Sequence, residues 1–178
     1  KQRSPKRVDP VDNQEVGGFE LEHLSYDGQL EFKQDVIRQA LEKYKPEGYE
    51  KFDLRPTIGM ENPDGYRNKA QFPVREVDGK LAVGMYKRNS HDLVDLPKVS
   101  TQHPATLKVV RKVRDILADM DMPIYNERKN SGIVKTLIAR VSETTGDVQL
   151  TIVTNGKYLP SADELIARIN KELPEVVS

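Results

Sequence analysis

The chain of 178 residues contains no cysteine and no tryptophan, and aromatic residues make up only 6%. Without cysteine there is no disulfide, no thiolate nucleophile and no thiolate-held metal or iron–sulfur cluster. Long apolar runs are also missing. Charged residues amount to 31%, and no stretch approaches the about twenty apolar residues of a membrane span. The basic start, with Lys1, Arg3, Lys6 and Arg7, lacks the apolar segment of a secretory signal. Neither sign of charge is in excess: Lys+Arg and Asp+Glu are both 28, for a formal net charge of +0. Dedicated nucleic-acid modules are usually basic overall, so such a role here requires positive charge gathered on one face.

What is present is a series of short periodic segments. Residues 1–22 are polar, with Pro5, Pro10, Gly17 and Gly18, and read as an extended, partly disordered lead-in. Residues 23–178 read as one α+β domain. A helix is expected over 27–44, with Leu30, Ile37, Leu41 and Tyr44 on one stripe, ended by Lys45-Pro46-Glu47-Gly48. Strands over 65–77 and 80–94 meet at Asp78-Gly79, the signature of a two-residue type I′ turn. A second helix is expected over 104–121, opened by Pro104 and exposing Lys108, Arg111, Lys112 and Arg114 as a basic surface. A second hairpin, 133–143 and 147–154, turns at Thr145-Gly146. A last helix, 162–173, follows a capping box that starts at Ser161. The order α-ββα-ββα predicts an antiparallel sheet with helices on one face.

The Asp78-Gly79 turn dictates a register. Val77 faces Lys80, Arg75 faces Ala82, Val74 meets Val83, and the extrapolated ladder sets Lys69 opposite Arg88. Because strands alternate faces, one face is apolar and the other carries Arg67, Lys69, Gln71, Arg75, Tyr86 and Arg88. Cations on a rigid surface meet phosphate, and an aromatic ring stacks on bases, so this face is a candidate RNA contact. The same pattern also suits a sheet face that is merely solvated. On the second hairpin, Arg140, Ser142, Gln149 and Thr151 fall on the outer face. His23, His91 and His103 show no metal-ligand spacing and read as surface or capping residues. No Gly-rich phosphate loop follows an expected strand, and no nucleophile–base–acid set is evident. The polar, basic loop Asn126–Gly132 suits either contact with RNA backbone or a solvated connection, and the connection is the favoured reading.

The segment Gly65-Tyr66-Arg67-Asn68-Lys69-Ala70-Gln71-Phe72-Pro73-Val74 resembles the Tyr-Arg-Asn-Lys motif of the RNA uracil-5-methyltransferases. Further matching blocks run in order: His23–Tyr26, Gln29–Lys33, Gly59–Pro63, Gly84–His91, Gly132–Arg140, Val153–Asn155 and Leu173–Val176. The similarity is greatest to the 23S ribosomal RNA branch of Gram-positive bacteria. It implies a central domain that helps hold RNA. An RNA-gripping TRAM barrel would precede it, and a catalytic domain binding S-adenosylmethionine would follow in cis; both are absent from this chain. The resemblance therefore implies no catalytic residue here, a cytoplasmic location and 23S rRNA as partner in the parent enzyme. It points to Arg67, Asn68 and Lys69, with Gln71 beside them, as RNA contacts. Asn68 falls on the opposite side of the strand from the others in the register above.

The resemblance also carries a departure. The family's 4Fe-4S cysteines would fall at Val16, Phe19 and Val99, with the first near Asp9 to Val11, and none is cysteine here. Either a redesigned cysteine-free domain or a natural lineage that lost the cluster fits this exchange. A cysteine-free scaffold with no specific binding activity is the competing reading.

Overall fold

The computed structural model describes residues 5–95 and 98–178, so Lys1 and Arg3 of the basic start lie outside the described residues. The chain divides into two units. One comprises Lys1–Gln14 and Gly18–Pro63, the other Glu15–Gly17 and Asp64–Ser178.

The first unit is built on α1, Tyr26–Tyr44. Ser25 Oγ accepts the Gly28 amide at 3.3 Å, capping the orphan donors of the first turn, and Asp27 suits the positive end of the helix dipole. The preceding segment doubles back. The Val8 amide donates to the His23 carbonyl (2.9 Å) and the Ser25 amide to the Lys6 carbonyl (2.7 Å), while Lys6 pairs with Glu31. The Glu22 carboxylate accepts the Asp12 amide at 3.1 Å and Gln14 Nε2 at 3.0 Å. On the other side of the helix in sequence, Gln34 Nε2 donates to the Arg55 carbonyl (2.8 Å) and the Met60 amide to Tyr26 Oη (2.8 Å). Beside these polar ties, Leu30 and Tyr26 pack against Gly59. Ile37 and Tyr44, expected on one apolar stripe, are 51% and 73% exposed, and Gly28 is the buried residue of the helix.

The second unit holds a five-stranded sheet and two helices. Its elements are β1 (Lys69–Val77), β2 (Lys80–Tyr86), β3 (Leu93–Asp95), α2 (Pro104–Asp119), β4 (Val134–Val141), β5 (Val148–Thr154) and α3 (Ala162–Glu172). The strand order is β3-β2-β1-β4-β5, with every neighbouring pair antiparallel. Asp78 (φ 50°) and Gly79 (φ 74°) make the positive-φ turn the dipeptide predicts. The expected pairs Val77↔Lys80, Arg75↔Ala82 and Val74↔Val83 form.

The β1–β2 register runs only from Val77↔Lys80 to Val74↔Val83, short of the expected ladder. The strand expected over 80–94 ends at Tyr86, turns through Asn89 (φ 55°), and returns as β3 with Gly84↔Asp95 and Tyr86↔Leu93. Gly84 permits this approach, because a Cβ there would lie 1.9 Å from the Val94 carbonyl oxygen. Residues 69–73 of β1 pair with β4, so Lys69 faces Arg140. The Val148 amide donates to the Glu175 carbonyl and the Val177 amide to the Val148 carbonyl, so the C-terminal segment covers the β5 edge.

The core lies between one sheet face and the helices. Ala70, Phe72, Val74, Val83, Leu137, Ala139 and Val141 are buried, as are Val109, Val110, Val113, Ile116 and Leu117 of α2. Helix α2 packs on β1, β2 and β4, and α3 packs on α2 through a face that buries Leu165 and Ile169. His103 caps α2, its Nδ1 accepting the Ala105 amide at 3.2 Å, and Pro104 takes the first position. The capping box at Ser161 does not form. Ser161 is left-handed (φ 49°) and makes no side-chain cap bond, and α3 starts instead from its carbonyl, which accepts the Leu165 amide.

The basic surface expected on α2 is also altered, because acidic partners meet it. Lys108 pairs with Glu175 (2.6 Å), Lys112 with Glu172 (2.6 Å), and Arg114 with Asp95 and Asp115. Arg168 joins Glu172 to Asp119. Hydrogen bonds from Lys112 and then Arg168 hold Glu172 below the ordinary carboxylate value, and one from Lys108 does the same for Glu175. A depressed folded pKa contributes stability that is present above the unfolded value and lost as pH falls through the folded one. Thermal melts of the wild type should therefore decline below about pH 4.5, and the double change Glu172→Gln with Glu175→Gln should reduce that acid-side decline. An equal decline in both proteins would exclude the network as its source.

Candidate nucleic-acid interface

Alternation along β1 sends Ala70, Phe72 and Val74 into the core and leaves Lys69, Gln71, Pro73 and Arg75 on the other face. The β1–β4 and β4–β5 registers then set the neighbours on that face. Lys69 faces Arg140, Arg140 faces Gln149, Gln71 faces Ile138, and Ile138 faces Thr151. Lys69, Gln71, Arg140, Gln149 and Thr151 are all exposed. Neither Lys69 nor Arg140 forms an ion pair among the described residues. Two cations directly opposite one another repel, a cost that a bound anion relieves. Flanking them, Gln71, Gln149 and Thr151 offer neutral hydrogen-bonding groups.

The other residues singled out in the sequence are distributed differently. Arg67 and Asn68 precede β1 and are exposed. The Arg67 amide donates to the Thr101 carbonyl, and the Asn68 carbonyl accepts the Val141 amide, so their backbones extend the sheet edge beside Lys69. Arg75 stands on the open face about 20 Å along β1 from Lys69 at 3.3 Å per residue, and its side chain reaches the Tyr86 ring on β2. There the Arg75 guanidinium is restrained. Its Nη1 donates to the Val74 and Lys135 carbonyls (2.7 and 2.9 Å), and its carbon lies 5.9 Å from the Tyr86 ring centre and 5.6 Å from that of Tyr125. Arg88 does not oppose Lys69. It follows the end of β2, its amide donates to the Glu15 carbonyl (3.0 Å), and its Nε donates to the Val16 carbonyl (3.3 Å).

Two residues on this face escaped the sequence reading as site candidates. Alternation alone puts Arg140 on the outer face of the second hairpin, but only the β1–β4 pairing puts it beside Lys69. Tyr125 stands in a segment whose amide bonds the Val134 carbonyl at the start of β4, a contact with no local signature.

Val16, Phe19 and Val99, the positions where the resemblance puts cluster cysteines, are 0%, 5% and 3% exposed. Their side chains are hydrocarbon and offer iron no electron pair. Val11, near the fourth position, is exposed at 64%. The residues present do not fit an iron–sulfur cluster; three of the four positions are apolar core. Among the described residues no group of three or more His, Cys, Asp or Glu is placed to hold a metal ion. No helix among them is long and apolar enough to cross a membrane.

No protein-family model matches the chain. Individual proteins do. The chain is 59% identical over 177 residues to an uncharacterized RNA methyltransferase of Lactiplantibacillus plantarum, covering 98% of itself and 37% of that protein. It is 49% identical over 162 residues to one from Enterococcus faecalis, covering 91% of itself and 36% of the relative. Among solved structures it resembles the tRNA (uracil-54, C5)-methyltransferase of Pyrococcus abyssi, crystallised with S-adenosyl-L-homocysteine. That likeness has a TM-score of 0.64 at 22% identity and covers 91% of this chain and 35% of the other, which shows a shared fold. Over nearly its whole length, then, this chain is homologous to a segment forming just over a third of proteins named RNA methyltransferases.

Proposed function

We propose that this chain is the RNA-holding segment of an S-adenosylmethionine-dependent RNA uracil-5-methyltransferase. The observation that carries the reading is the exposed Lys69–Arg140 pair on the open sheet face, flanked by Gln71, Gln149 and Thr151. Cations in register on a rigid sheet neutralise phosphates, while amides and hydroxyls beside them accept and donate to sugar and base edges. Arg67 and Asn68 extend the surface along its edge. The chemistry belongs to the part of the longer protein outside these 178 residues, which hold no thiol to form a covalent adduct with uracil. The relatives' printed names support RNA as substrate. The motif resemblance supports 23S rRNA, a catalytic domain in cis and a cytoplasmic location.

The test is binding of a ribosomal RNA hairpin by this chain across a salt series. Wild type should show a log-log slope that becomes shallower by about 1.4 to 1.8 when Lys69→Ala and Arg140→Ala are combined, since each phosphate contact contributes about 0.7 to 0.9. Equal slopes would remove the pair from the interface. No retardation at low salt would instead favour a scaffold without specific binding.

A further inference from the structure

We propose that the groove between the end of the first hairpin and the Ile124–Arg128 segment is a subsite for one unpaired RNA base, stacked against Tyr125. The inference rests on the RNA-holding reading above and adds a second point of contact to it. The groove encloses about 840 Å³, within the range of small-ligand clefts, and Arg75, Val77, His91, Leu93, Tyr125 and Arg128 are among its lining residues.

Its aromatic wall is preorganised. The Tyr125 hydroxyl donates to Asn130 Oδ1 at 3.1 Å, and Lys135 Nζ lies 4.3 Å from the ring centre. The Arg75 guanidinium, tied to two carbonyls, is held as a planar cation near both Tyr125 and Tyr86. An arginine fixed in this way is poorly placed to follow a mobile phosphate. Together with the ring it forms a rigid π-rich surface of the kind on which any base stacks, whatever its sequence. Arg128 also lines the groove and supplies charge for the phosphate attached to that base, whereas Lys87 pairs with Glu15 at 3.4 Å and Glu76, Asp78, Asp92 and Glu127 add carboxylates to the lining. His91 Nδ1 lies 3.2 Å from Glu127 Oε2, a contact that links the two walls of the groove. Because Arg75 stands on the same open sheet face as Lys69, about 20 Å along β1, one single strand can touch both places.

The experiment uses this chain and a short single-stranded RNA carrying 2-aminopurine at successive positions. With wild type, one position should show an emission change on binding. Tyr125→Leu should abolish that change and weaken binding about tenfold, whereas Tyr125→Phe should retain both. Circular dichroism of each variant separates a lost contact from a lost fold, and a variant that unfolds is replaced by Arg128→Ala, which should weaken binding and make the salt slope shallower. RNA binding with no effect of Tyr125→Leu or Arg128→Ala would overturn the subsite and leave the Lys69–Arg140 surface standing. Absence of RNA binding by wild type would overturn both.

Discussion

Replacing Gly132 by alanine is expected to destabilise the second unit severely. Gly132 has φ 89°, which a side chain rarely adopts. A Cβ there would lie 2.1 Å from the Ile124 carbonyl oxygen and 2.9 Å from the Tyr125 Cα, both rigid backbone atoms. Relief would have to come from separating the 124–126 segment from the start of β4. That separation would break the bonds from the Ile133 and Val134 amides to the Pro123 carbonyl and from the Tyr125 amide to the Val134 carbonyl. Backbone strain and lost hydrogen bonds together should cost roughly 3 kcal/mol or more. Urea unfolding measures it directly. A loss below about 1 kcal/mol, an ordinary value for a point change, would show that this crossing is not rigid. By contrast Gly146→Ala, where φ is also positive but nothing lies within 4 Å, should cost only the local strain.

Reversing both charges at Lys69 and Arg140 should eliminate RNA binding at physiological salt while leaving the fold intact. Alanine removes two favourable contacts, whereas glutamate puts two like charges against the phosphates. With both side chains exposed and on one face, the double change Lys69→Glu with Arg140→Glu should weaken binding at least a hundredfold. Melting temperature should change little, since the present pair is already like-charged and a glutamate pair repels similarly. Restoring one site, with Lys69→Glu alone, should give intermediate binding. Full-strength binding by the double reversal would place the RNA elsewhere and remove the central support for the proposed function. A matching loss of stability would point to a structural role for the two residues.

How far these conclusions were legible beforehand depends on the range of the interaction involved. The Asp78-Gly79 turn, the register of the four residue pairs next to it, the second hairpin and the start of α2 at Pro104 all appear as expected. Each follows from residues within a few positions of one another. Ser161 is an exception at short range: its left-handed backbone removes the geometry a capping box needs. The apolar stripe of α1 shows a different limit. Periodicity marks which residues share a side of a helix, but burial requires an apolar partner over that side, and Ile37 and Tyr44 stay exposed.

The candidate interface divides in the same way. Local alternation alone puts Lys69, Gln71 and Arg75 on one side of β1, and the missing cysteines alone exclude thiolate ligation at positions 16, 19 and 99. Which cation stands beside Lys69 was beyond local reasoning, because β1 pairs with β4 across more than sixty residues of chain, as in Lys69↔Arg140. A turn constrains only the strands it joins, so extrapolating the first hairpin speaks only for the β2 edge of β1, where it sets Arg88, and is silent on the β4 edge that Arg140 occupies. Chain folding instead draws Arg88 to the carbonyls of Glu15 and Val16 and brings Tyr125 to Arg75. Side-chain alternation and turn chemistry are properties of the covalent neighbourhood. The pairing of Lys69 with Arg140, the neutralised charges of α2 and the ring–guanidinium wall of the groove arise only when distant segments share one packed sheet.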